Sequence, residues 1–156
     1  MKKSVLLGPA IVAVAVMLSA ASTPQKAPHK QVIKPAGAPA MGLPFSPGIM
    51  VGDTLYLSGV IGADANGQPV AGGIEPEMRQ AFANAQGVLK AAGLDFADVV
   101  SVTVYLGDIN DFAKMNGVYK EFFKTEPLPA RSTVAVKDLV RGAKIEVTMT
   151  AVRTTP

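Results

Sequence analysis

The chain reads as an α+β protein in which one β-sheet packs against two α-helices. Three observations predict this. "DVVSVTVYLG" and the stretch from Lys144 to Val152 alternate apolar and polar residues with period two, as half-buried strands do. Two other stretches place apolar residues three and four apart, as amphipathic helices do. The order of all segments, β-β-β-α-β-α-β-β, then suits a layer of two helices on one sheet.

The first 22 residues read as a targeting leader. "MKK" is a basic start, "VLLGPAIVAVAVMLSA" an apolar run, and "LSAAS" supplies small residues for cleavage after Ala21 or Ser22. Export to a periplasm or medium is the expectation, and an uncleaved membrane anchor is the alternative. Without a cysteine at that site, a lipid-anchored form is excluded. Residues 23–30 form a polar Pro/Lys linker, and 31–156 form one domain of ordinary size.

Within that domain "KQVIK" is a short edge strand, followed by the loop "PAGAPAMGLPFSPG". "GIMV" and "TLYLSGVI" flank Gly52-Asp53 as a two-residue hairpin turn. A helix is expected from about Pro76, where proline is tolerated in the first turn. Its stripe is Met78, Phe82, Ala85, Leu89 and Ala92, and Gly93 ends it. The strand "DVVSVTVYLG" sets Val100, Val102, Val104 and Leu106 against Ser101, Thr103 and Tyr105. A second helix, "DINDFAKMNGVYKEFFK", carries Phe112, Met115, Tyr119 and Phe122 on one stripe, with Asp108 or Asn110 as its cap. Ser132–Val136 and Lys144–Val152 close the domain as strands. One face of such a sheet stays uncovered, so burial against another subunit is expected.

Composition removes several kinds of chemistry. The chain has no cysteine, which excludes disulfides, thiolate nucleophiles and cysteine metal sites. Its one histidine, His29, lies in the linker, so neither a Ser-His-Asp triad nor a histidine metal cage is available. No P-loop or dinucleotide glycine fingerprint is present. No metal and no cofactor is therefore expected. Of 15 basic residues, Lys2 and Lys3 belong to the leader, which leaves 13 against 12 acidic ones. That balance offers no electrostatic case for nucleic acid.

Two charges stand out in segments that otherwise look like core. Arg131 opens a strand, where it is either a solvated strand end or a planar fork for a carboxylate. Glu146 sits inside the last strand with Thr148 and Thr150, on a face that is either simply wet or half-dry. If Thr133 pairs with Glu146 across an antiparallel ladder, Arg131 shares that face. A slip of one residue separates them. Asn116 beside Gly117 is either an exposed helix position or an amide aimed at a site. Ser58-Gly59 is either a strand end or a bulge offering a hydroxyl and a backbone N–H.

"PARSTVAV" followed by "KIEV" is similar to the C-terminal signature of the RidA/YjgF family. The likeness extends through "APAMGLPFSPGIMVGDTLYLSG", "AAGLDFADVVSVTVYLGDINDF" and "MNGVYKEFF", covering about Pro35 to Val152. The resemblance implies a chorismate-mutase-like fold with one mixed sheet, a homotrimer with a pocket at each interface, and cofactor-free hydrolysis of reactive enamines and imines such as 2-aminoacrylate. By position Arg131 matches the arginine that binds the substrate carboxylate. Glu146 matches the glutamate that positions water, and Ser58, Gly59 and Asn116 match other pocket residues. Two positions depart from the pattern: Phe45 replaces a tyrosine and Thr133 a cysteine. Three rival readings accompany this one: a trimer that only binds a small carboxylate, an RNA-cleaving protein, and a purely structural trimer.

Overall fold

The computed structural model describes residues 29–35, 42 and 44–154. The leader over 1–22 and the linker up to residue 28 lie outside the described residues, as do positions 36–41 and 43 of the long loop. Among the described residues no helix is long and apolar enough to cross a membrane.

The expected edge strand is β1 (Lys30–Ile33), which pairs antiparallel with β2 (Gly48–Val51). β2 turns into β3 (Thr54–Leu57) with Val51 opposite Thr54, so Gly52-Asp53 is the two-residue turn. Gly52 has φ 58, a left-handed conformation that glycine adopts without steric cost. The expected strand "TLYLSGVI" is interrupted at Ser58-Gly59, and its end forms a separate two-residue strand, β4 (Val60–Ile61).

The first helix, α1, spans Ile74–Ala91 and so begins two residues before Pro76. Met78, Ala81, Phe82, Ala85 and Leu89 are fully buried along it. It ends in a Schellman motif: the Gly93 N–H donates to Lys90 and the Leu94 N–H to Leu89, both at 2.9 Å, with Gly93 at φ 71. β5 (Val99–Leu106) follows. Val102, Val104 and Leu106 are buried as expected, but Val100 is 46% exposed. A bulge between Val99 and Ser101 shifts the register there and takes Val100 off the core face.

Asp108 caps a short 3₁₀ turn (Ile109–Asp111), accepting from the Asn110 N–H at 2.9 Å. The α-helix proper, α2, spans Phe112–Phe122. Met115, Val118 and Tyr119 form its buried stripe, whereas Phe112, at its first residue, is 40% exposed. The last strands are β6 (Ala130–Ala135) and β7 (Ile145–Val152).

These strands form one sheet in the order β1-β2-β3-β7-β5-β6, with β4 also paired to β7. Every pairing is antiparallel except β5 with β6, so the sheet is mixed. Parallel neighbours need a long crossover, which α2 supplies. The helices cover one face, where Phe82 packs against Phe96, Tyr119, Phe122 and Phe123 with ring centroids 4.7–6.0 Å apart. Val32 on β1, Tyr56 on β3 and Val134 on β6 are about half exposed.

One buried charge ties the helix layer to the sheet. Glu77, 2% exposed in the first turn of α1, accepts from the Lys144 N–H at 2.7 Å and the Ile145 N–H at 3.4 Å. Those donors sit at the start of β7, and the helix N-terminus favours the anion. Glu77→Ala strips a buried backbone N–H of its partner and should cost about 2–4 kcal/mol in urea unfolding. Glu77→Gln keeps an acceptor oxygen and should lose less than half as much. Equal losses would show that the carboxylate is not what joins the layers.

Candidate active site

Glu146 is the second residue of β7 and pairs with Ile61 on one side and Tyr105 on the other. Its neighbours in β7, Ile145 and Val147, are fully buried under the helices. Alternation therefore turns Glu146 to the opposite face, with Thr148 and Thr150. There it borders an open pocket of about 360 Å³ lined by Ser58, Gly59, Tyr105, Asp138, Thr148 and Glu146 among others.

A bulge shapes the wall of this pocket. Tyr56 pairs with Thr150 and Val60 with Val147, so the β3–β4 side carries one residue more than β7 across Ser58-Gly59. The Ser58 N–H and hydroxyl both donate to the Pro47 carbonyl, at 3.0 and 3.3 Å, and the Thr148 hydroxyl donates to Leu57 at 3.0 Å. Gly59 lies directly against the carboxylate. A Cβ at Gly59 would fall 1.8 Å from Glu146 Oε1 and 2.8 Å from Cδ.

Arg131 is elsewhere. On the edge strand β6 it pairs with Val102, a residue buried beneath the helices, so its side chain enters the α2 side of the sheet. The guanidinium carbon lies 4.4 Å from the centre of the Tyr119 ring, and Nη1 approaches the Met115 sulfur at 4.0 Å. No carboxylate lies within ion-pair distance of it among the described residues. Thr133, two residues on, faces the same side, and its hydroxyl is buried without a partner among the described residues, as is that of Tyr119. Burial pushes the Tyr119 phenol above its ordinary pKa, and the Arg131 cation partly opposes that rise.

This corrects the strand pairing considered from the sequence. β6 and β7 are not neighbours, because β5 lies between them. Tyr105 pairs with Glu146 on one side and Val134 on the other, so the residue level with Glu146 is Val134 rather than Thr133. Arg131 and Thr133 are odd-numbered steps from Val134 and face the other way. Within one chain Arg131 and Glu146 are on opposite faces of the sheet.

The remaining candidates divide accordingly. Ser58 and Gly59 stand with Glu146. Asn116 is half-buried on α2, between Met115 and Tyr119 in the sequence and so at Arg131's end of the helix. Phe45 is 55% exposed in the loop before β2 and lies outside the Glu146 pocket. Sequence reasoning passed over Tyr105 and Asp138, which line that pocket, and Met115 and Tyr119, which hold Arg131. Tyr105 was legible as part of the polar face, whereas Met115 and Tyr119 read as core. Among the described residues no group of three or more His, Cys, Asp or Glu side chains is placed to hold a metal ion.

Residues 36–153 match the family model described as Endoribonuclease L-PSP. The 2-iminobutanoate/2-iminopropanoate deaminase of Bos taurus is 44% identical over 125 residues, spanning 80% of this chain and 90% of that protein. A solved structure from the conserved Rid family of Yersinia pestis has a TM-score of 0.75 at 35% identity and covers 80% of this chain and all of its own (100%). TdcF of E. coli, solved with bound serine, has a TM-score of 0.72 at 32% identity, covering 80% of this chain and 99% of that one.

The Gly59 contact gives a direct test. In Gly59→Ala the colliding atoms are the far end of a flexible side chain, so the fold should survive with a melting temperature within about 5 °C of wild type. Any activity that uses Glu146 should nevertheless fall as far as in Glu146→Ala. Full activity in Gly59→Ala would mean the carboxylate works from another position.

Proposed function

The chain belongs to the RidA/YjgF family, and on that premise we propose that it hydrolyses small 2-imino acids, including the imine of 2-aminoacrylate, to 2-oxo acids and ammonia. The observation that carries this reading is the environment of Arg131. A half-buried guanidinium held, among the described residues, by a thioether and a ring face retains most of its hydrogen-bonding fork for an anion. The carboxylate of a 2-imino acid fits that fork and fixes the electrophilic C2 beside it.

Glu146 supplies the other half. Its carboxylate accepts a proton from water as the oxygen adds to C2 and the C=N electron pair moves to nitrogen. Returning that proton to nitrogen completes the carbinolamine; the same carboxylate then carries the hydroxyl proton to the nitrogen, so that the C–N bond breaks and ammonia leaves as the C=O forms. Such proton transfer contributes about 10²–10⁴-fold. An enamine enters after protonation at C3 has converted it to the imine.

Arg131 and Glu146 lie on opposite faces of one chain, so one substrate meets both only where two copies join. The Arg131 edge of one protomer then abuts the Glu146 face of the next, a head-to-tail contact that three copies close into a ring. The half-exposed Val32, Tyr56 and Val134 are apolar surface that such a contact covers. On this reading Asn116 and Thr133 reach the pocket from the Arg131 side, and Ser58, Gly59 and Phe45, two residues before the Pro47 carbonyl that Ser58 bonds, from the Glu146 side. The ribonuclease in the family model's description finds no support in charge, since 13 basic residues face 12 acidic ones outside the leader. With residues 1–22 as a cleaved leader the reaction takes place outside the cytoplasm. N-terminal sequencing of the fractionated protein should then begin at Ser22 or Thr23, and Met1 in the membrane fraction would return the anchor.

Purified protein lacking the leader should accelerate the decay of freshly generated 2-aminoacrylate. Arg131→Ala should lower kcat/KM at least about 100-fold, and Glu146→Gln about 10²–10⁴-fold. Unfolding and refolding the two inactive variants together should restore about a quarter of wild-type activity, because each mixed ring regains one intact site. No recovery would place both residues in a same-chain site. Binding of a 2-oxo acid without turnover of any 2-imino acid would leave a carboxylate-binding trimer instead of an enzyme.

A further inference from the structure

We propose that Tyr119 is a positioning residue whose ring face sets the Arg131 guanidinium for carboxylate capture. This rests on the deaminase reading above and extends it to a residue that touches no reacting atom.

Three observations carry it. The guanidinium carbon stands 4.4 Å from the Tyr119 ring centre, within the range of a cation–π contact. Among the described residues the fork's one hydrogen-bond partner is the Met115 sulfur at 4.0 Å, a weak acceptor that cannot orient it. The ring itself is fixed from behind, tilted on Phe123 at 4.6 Å and edge-on to Phe82 at 6.0 Å. The orientation of the arginine is thereby transmitted from the aromatic core of the helix layer to the sheet edge. Tyr119 is 8% exposed, and its hydroxyl has no partner among the described residues, so the group facing Arg131 is the ring and not the oxygen.

An arginine on β6 without this platform has many rotamers, most of which aim the fork away from any one point. Fixing the fork before the substrate arrives spares that ordering at the moment of binding. The effect therefore belongs to substrate affinity, with little consequence for proton transfer at Glu146.

The test compares Tyr119→Leu with Tyr119→Phe in the full assembly. Leu should raise KM for 2-iminopropanoate about 10-fold with kcat within about 2-fold of wild type, and Phe, which keeps the ring face, should restore KM. Lost folding lowers kcat at constant KM instead, so that pattern in Tyr119→Leu overturns the proposal. A KM in Tyr119→Phe as high as in Tyr119→Leu also overturns it, because the ring face would then not be the determinant. A second readout needs no substrate. The Arg131 Nε–Hε resonance, assigned by its loss in Arg131→Lys, should be shifted upfield by the ring in wild type and in Tyr119→Phe, and return to the ordinary position in Tyr119→Leu. An unshifted resonance in wild type removes the stack. If wild type neither turns over 2-imino acids nor binds a 2-oxo acid, the deaminase reading falls, and the resonance alone then decides whether Tyr119 holds Arg131.

Discussion

The helix crossover between β5 and β6 forces these strands to run parallel, and most of what the molecule can do follows from it. A parallel partner cannot be reached by a tight turn, so the chain leaves β5, climbs through α2 and returns along the outer edge. The remaining side of β5 is then taken by β7. Two strands that follow each other in sequence are thereby held apart by a third. Their two charges, level with Val102 and Tyr105 and so three residues apart along β5, emerge on opposite faces. The same crossover lays α2 over Arg131, where Met115 and Tyr119 meet it.

The elements themselves were legible because each carries its own local signal. Alternation marked β5 and β7, three-and-four spacing marked both helices, and Gly52 and Gly93 marked a turn and a helix end whose backbones require them. Pairing was not legible, since a period-two pattern states that one face is buried without stating which strand lies alongside. The adjacency of β6 and β7 in sequence suggested a ladder between them, and the crossover overrides that suggestion. Val100 failed for a related reason. A bulge changes the phase of an alternating run without altering its composition.

The candidate site was legible in its charged members and obscure in their supports. Arg131 and Glu146 announced themselves as charges inside apolar segments. Gly59 was visible only as a glycine, and its reason, the Glu146 carboxylate lying where a Cβ would be, comes from a bulge that no local pattern encodes. Tyr119 and Met115 sat on a stripe that reads as core. They are core, and in the same positions they also face a cation.

A sheet with one helix-covered face normally segregates its functions, keeping charge on the wet side. This one places a cation on the covered side, at the edge strand, where the helix layer ends. That position has a physical cost, because a half-buried guanidinium loses hydration that a sulfur and a ring only partly replace. The buried hydroxyls of Tyr119 and Thr133, without partners among the described residues, add to it. The buried apolar side chains of Phe82, Leu89, Met78 and Val104 beneath the same sheet carry the stability that offsets these groups. In the proposed assembly the edge strand bearing Arg131 meets a neighbouring surface at which a carboxylate-bearing ligand binds. On that reading, what leaves the single chain electrostatically incomplete is what a second copy and a small anion together complete.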